Sequence, residues 1–146
     1  MAQSDEGPAD TGGETRRIVV GVDGSSGSLG ALRWAAREAS LRDADLEVVH
    51  VRFFRKEVLD LAGLEQDEEQ VLERAVALAR EEQPGIRVVG RVVDPPPGRA
   101  LVEASRGADL LVVGSRGLGG FDELTLGSVS QQCSHHARSP VAIIRS

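Results

Sequence analysis

The chain has 146 residues, 40% of them hydrophobic, and a net charge of −6, enough for one domain around a single core and too little for two. The acidic balance argues against sequence-independent nucleic-acid binding, which needs clustered cations to displace counterions from phosphates; the 17 basic side chains, with Lys56 the one lysine, are scattered. The single cysteine, Cys133, excludes an internal disulfide, and no run reaches the roughly 18 apolar residues of a membrane span.

The start, Met1-Ala2-Gln3-Ser4-Asp5, lacks the basic and apolar regions of a secretion signal, so a cytoplasmic location is expected. Residues 1–15, rich in Gly, Asp, Glu and Ser without an apolar cluster, are expected to form a disordered tail ahead of one domain over 16–146. Ile18-Val19-Val20-Gly21-Val22 reads as the first strand. Ser25, Ser26 and Ser28 supply helix-start chemistry, and Leu29, Leu32, Ala36 and Ala39 recur at helical spacing to about Arg42. Leu46 to Val51 is the second strand. Residues 52–70 are irregular and allow either a helix or a flap. Val71, Leu72, Ala75, Leu78 and Ala79 then give an amphipathic helix, closed by Gln83-Pro84-Gly85.

Ile86 to Val93 is a third strand, stopped by three prolines at 95–97, which cannot donate ladder hydrogen bonds. A short helix through Leu101, Val102 and Ser105 leads to the fourth strand, Leu110 to Val113. The last helix, about Ser128 to Ala137, precedes the fifth strand, Val141-Ala142-Ile143-Ile144. This alternation of strands and helices predicts an α/β fold: one doubly wound domain with a five-stranded parallel sheet, right-handed crossovers and helices on both faces. Such a sheet binds ligands beyond the carboxyl ends of its strands, where the strand order reverses.

The densest chemical signal follows strand four. Gly114-Ser115-Arg116-Gly117-Leu118-Gly119-Gly120 and then Gly127-Ser128-Val129-Ser130 give the order strand, glycine-rich loop, helix N-terminus. That order aims unpaired backbone N–H groups and the positive end of a helix dipole at one point, where an anion would sit. Gly114, Gly117, Gly119, Gly120 and Gly127 permit positive φ and close backbone approach. Ser128 and Ser130 can donate hydroxyls to a phosphate or cap the helix, and the Arg116 guanidinium can pair with phosphate or lie across a base. At the first strand's end, Asp23-Gly24-Ser25 reads locally as a turn with an N-cap.

The spacing Gly114-x2-Gly117-x9-Gly127-Ser128 resembles the nucleotide-binding motif of the ATP-binding subgroup of the universal stress protein family, a resemblance running from about Arg17 to Arg145. It implies strand order 3-2-1-4-5, which brings Asp23 and Gly114 to the same switch point. It further implies ATP, with ADP or AMP as the related ligands and Mg²⁺ as a companion ion. Asp23 would accept a hydrogen bond from a ribose hydroxyl, with Gly21, Val22 and Ser25 beside it lining the nucleoside pocket. The Val51 backbone would meet the adenine edge. The helix start at Ser128, Val129 and Ser130 would hold phosphate. The family commonly pairs as a homodimer through its last strand, here Val141, Ala142, Ile143 and Ile144. Asp122 and Glu123 depart from the family's usual neutral or basic loop and would repel phosphate unless turned to solvent or bridged by Mg²⁺.

Neither a G-x4-G-K-[ST] P-loop nor a G-x-G-x-x-G after strand one is present, and no constellation to activate water stands out. The expectation is a non-enzymatic, nucleotide-dependent stress-response regulator. The alternatives are a nucleotide-free dimeric interaction module and a very slow adenine nucleotide hydrolase. Adjacent His135 and His136 point about 100° apart on a helix and suit its negative end better than a metal. His50, within a strand, reads as packed and hydrogen-bonded rather than catalytic, and Cys133 as a small helix-packing residue.

Overall fold

The computed structural model describes residues 15–63, 65–115 and 127–145, with the side chains of 65 and 66 also outside that set. The elements run β1 (Arg17–Val22), α1 (Ser26–Arg42), β2 (Asp45–Val51), α2 (Lys56–Ala62), α3 (Glu65–Glu82), β3 (Val88–Val93), α4 (Pro97–Ala104), β4 (Leu110–Gly114), α5 (Ser128–His136) and β5 (Val141–Ile144). The sheet is parallel throughout in the order β3-β2-β1-β4-β5. Both the doubly wound fold and the strand order agree with expectation. The expected tail over 1–15 falls almost wholly outside the described residues.

Strand periodicity of two sorts the core into two layers. Ile18, Val20 and Val22 of β1, Leu46 and Val48 of β2, and Leu110 and Val112 of β4 meet Ala31, Leu32 and Ala35 of α1 and Ala75 and Ala79 of α3. The alternate positions Val19, Val49, Leu111 and Val113 meet Leu101 and Ala104 of α4 and Cys133 of α5. Fully burying a side chain such as Leu46 or Leu111 contributes about 1.5–3 kcal/mol, and both are 0% exposed. At Gly21 a Cβ would lie 2.8 Å from Leu101 Cδ1, so the missing side chain is what lets α4 press onto β1.

Local differences from the sequence reading have local causes. The segment left open at 52–70 holds α2 and the first turns of α3, with Gly63 at φ 74 closing α2. The third strand begins at Val88 rather than Ile86, because Ile86 is still in the preceding turn with its N–H bonded to the Gln83 carbonyl. Pro97 opens α4 instead of only stopping β3; a proline at the first helical position loses no intrahelical bond. Among the described residues no helix is long and apolar enough to cross a membrane.

Candidate functional site

β1 and β4 are neighbours, and the strand order reverses between them. Beyond their carboxyl ends lie the turn at Asp23-Gly24-Ser25 on one side and the start of α5 on the other.

The β1 side is held by side chains. Asp23 Oδ1 accepts from the Ser25 N–H at 2.8 Å, while Gly24 takes φ 86, a left-handed turn conformation that suits glycine. Ser25 is the N-cap of α1, its hydroxyl accepting from the Ser28 N–H at 3.3 Å. Ser28 Oγ in turn accepts from the Asp23 N–H at 3.2 Å and donates to the Ser25 carbonyl at 3.1 Å. The turn-and-cap reading of this segment is therefore what the structure shows, and it leaves Asp23 partly exposed at the strand end.

Behind the turn stands a pair formed by His50 and Glu68, the second of which the sequence reading did not single out. His50, the residue before Val51, is 0% exposed; its Nδ1 lies 3.0 Å from the Val22 carbonyl and its Nε2 2.6 Å from Glu68 Oε1. Glu68 sits on α3 and is 3% exposed. The Phe53 ring packs edge-on against the imidazole, with centroids 5.7 Å apart. A carbonyl only accepts, so Nδ1 carries a proton, and the short Nε2 to carboxyl contact holds a second. Glu68 was legible in principle. It falls on the same helical stripe as Val71, Leu72, Ala75 and Ala79, and a carboxylate on an apolar stripe needs a buried partner.

The β4 side is held by backbone. The Ser115 carbonyl accepts from the Gly127 N–H at 2.7 Å and from Ser130 Oγ at 3.1 Å, and the Ser115 N–H donates to the Ile144 carbonyl at 2.9 Å. Ser130 Oγ also lies 2.9 Å from the Gly127 carbonyl. The chain thus leaves and returns at one closed neck. α5 starts there with Gly127 as N-cap at φ −69, without a side-chain cap and without an acidic residue in its first turn. The N–H groups of Ser128, Val129 and Ser130 precede the first intrahelical bond and face outward from the helix end.

Expected site residues are thereby partly placed. Gly21, Val22, Asp23 and Ser25 of β1 and its turn, Val51 at the end of β2, and Gly114, Gly127, Ser128, Val129 and Ser130 lie at the carboxyl ends of three adjacent strands. Arg116, Gly117, Gly119, Gly120, Asp122 and Glu123 lie outside the described residues. Gly114 is an extended strand residue paired with Ile144, and Gly127 has negative φ, so neither uses the left-handed freedom anticipated for the loop glycines. The Ser130 hydroxyl, 1% exposed, is engaged by the neck, whereas Ser128 is exposed. Cys133 is fully buried, and burial pushes its thiol up from 9.0 to about 11. His135 and His136 occupy the last turn of α5 and are exposed.

Comparison with known proteins bears on this arrangement. The model of the universal stress protein family matches residues 14–145. The chain belongs to the universal stress protein family. It is 36% identical over 140 residues to a universal stress protein of Mycolicibacterium smegmatis, covering 87% of this chain and 47% of that one. A universal stress protein of Mycobacterium tuberculosis is 39% identical over 132 residues, covering 88% of this chain and 44% of the relative. The chain thus spans about half the length of the curated relatives it matches. Among solved structures, a universal stress protein in complex with cAMP superposes with a TM-score of 0.73 and 31% identity, over 88% of this chain and 96% of that one. A universal stress protein from Archaeoglobus fulgidus gives 0.73 and 28%, over 88% and 93%.

Proposed function

We propose that this stress-protein domain binds an adenine nucleotide, ATP in the first instance, and acts as a cytoplasmic, non-enzymatic regulator whose occupancy biases a protein contact. The observation that carries the reading is the uncapped start of α5, joined by a closed neck to the end of β4 and set beside Asp23 at the point where strand order reverses. The helix start supplies backbone donors for phosphate, with no first-turn carboxylate to compete. Asp23, partly exposed, is assigned to the ribose, and Val51 to the base edge. Ser128, Val129 and Arg116 are assigned to the phosphates. Ser130 serves by closing the neck. The cAMP complex of a relative 31% identical to this chain supports an adenine nucleotide as the ligand class.

The half-buried edge strand β5, Val141–Ile144, is assigned to homodimerisation. The test is to purify the protein without added nucleotide, identify any small molecule released on denaturation by mass spectrometry, and titrate the stripped protein with ATP, AMP and cAMP, with and without Mg²⁺. Saturable binding, weakened about tenfold or more in Asp23→Ala with the fold intact, is expected. A protein that carries nothing and ignores all three ligands would overturn the reading in favour of a nucleotide-free interaction module. Light scattering on the same sample should give a dimer mass that falls to a monomer when a charge is placed at Ile143.

A further inference from the structure

We propose that His50 and Glu68 are positioning residues for the nucleoside half of the site, fixing through one peptide plane the direction in which Asp23 is presented; the inference rests on the nucleotide reading above. The Val22 carbonyl and the Asp23 N–H belong to the same planar peptide unit. The carbonyl is held by His50 Nδ1 at 3.0 Å and the N–H by Ser28 Oγ at 3.2 Å. Both partners are buried side chains, His50 at 0% and Ser28 at 7% exposure.

A strand-terminal peptide with one side chain on each of its polar atoms cannot rotate without breaking a bond. The Asp23 Cα follows directly from it. His50 also immediately precedes Val51, so one imidazole ties together the ends of β1 and β2, the two positions assigned to ribose and base. Val22 and His50 are register partners across those strands.

Glu68 acts on this clamp through the histidine. With Nε2 engaged by Glu68 Oε1 at 2.6 Å, the ring is fixed in orientation and Nδ1 is left with its hydrogen toward the Val22 carbonyl. Without that partner the ring keeps only the Val22 carbonyl and the Phe53 edge contact, and the imidazole is free to turn and lengthen its bond to the carbonyl. α3, which carries Glu68, does not otherwise supply any assigned nucleotide contact, so the pair links a helix outside the binding site to the presentation of Asp23.

The experiment compares wild type with Glu68→Gln and Glu68→Met by two readouts: nitrogen-15 NMR of the His50 ring, and ATP affinity by calorimetry. A glutamine amide donates to Nε2 and preserves the Nδ1–H form, whereas methionine removes the partner at similar volume. Glu68→Gln is expected to keep the Nδ1–H signal and bind ATP within about threefold of wild type. Glu68→Met is expected to shift and broaden that signal, because the ring is no longer held at Nε2, and to lose about tenfold in affinity. Should Glu68→Met not fold, Ser28→Ala releases the same peptide from its other side and is expected to weaken ATP binding in the same direction. Wild-type affinity in Glu68→Met, or in Ser28→Ala in its place, would overturn the positioning role while leaving nucleotide binding intact. Equal losses in Glu68→Gln and Glu68→Met would overturn the argument that a hydrogen-bonding partner at Nε2 is what anchors the ring. A wild type that binds no nucleotide would remove the reading beneath both, and is distinguished by failing before any variant is compared.

Discussion

The two sides of the switch point are held together by different chemistry. At β1 and β2 the strand ends are fixed by side chains, with Asp23, Ser25 and Ser28 knitting the turn and a buried His50–Glu68 pair behind it. At β4 and α5 the fixing is mainly backbone to backbone, with one serine hydroxyl added, and the buried ionisable group there is an unpaired thiol. A side-chain clamp can be loosened by a single substitution, whereas a backbone neck is indifferent to most sequence changes. Under the proposed function, the first is the surface assigned to ribose and base, and the second is the helix end assigned to phosphate.

The largest expected effect breaks the first side. His50→Leu removes the partner that the 3%-exposed Glu68 carboxyl has among the described residues and strips the Val22 carbonyl of its side-chain donor. Removing one member of a buried pair costs about 3–5 kcal/mol, measured by urea unfolding at neutral pH. The double variant His50→Leu with Glu68→Leu should recover most of that loss, because two apolar side chains replace the pair together. A double variant as unstable as the single one would mean that the pair is not energetically coupled.

How much of this was legible differs between the same two regions. The strands and most helices could be read because their patterns are local: short apolar runs in β1 and β2, period 3.6 in α1 and α3. The glycine spacing from Gly114 to Ser128 also lies within one stretch of chain, and its two ends meet at the neck, while Arg116 to Glu123 lie outside the described residues. The His50–Glu68 pair was not found, because it joins residues 18 positions apart on different elements and each has an innocuous local reading. Ser130 shows a subtler gap. Its type suits phosphate, but whether a serine three residues into a helix bonds a ligand or its own neck depends on the backbone of Ser115, which only the fold supplies.

The buried thiol of the second region makes stability depend on pH. Cys133, fully buried on α5, has its thiol raised to about 11 from 9.0 by desolvation of the thiolate. The neutral thiol is the folded form, so its contribution is fully present below pH 9, where the unfolded chain is also protonated. Above pH 9 the unfolded chain releases the proton first, and stability falls by about 1.4 kcal/mol per pH unit until about pH 11. Cys133→Ala should lack this slope, so the wild type should lose about 2–3 kcal/mol relative to the variant across that interval. Parallel curves would show that the thiolate is solvated in the folded protein.

The smallest effect separates two serines that look alike in sequence. Ser130 Oγ, 1% exposed, donates toward the Ser115 and Gly127 carbonyls that form the neck, while Ser128 is exposed at the first helical position of α5. Ser130→Ala removes a buried hydroxyl donor and should destabilise the domain by about 1 kcal/mol. Ser128→Ala touches no internal bond of the neck and should change stability by less than about 0.5 kcal/mol. In ATP titrations the ranking should reverse: Ser128→Ala loses a direct phosphate donor and weakens binding severalfold, whereas Ser130→Ala keeps the backbone bond between Gly127 and Ser115 and binds nearly as wild type. If Ser130→Ala were the variant that lost ATP, the neck would depend on its one hydroxyl, and the contrast between a side-chain clamp on β1 and a backbone clamp on β4 would fail.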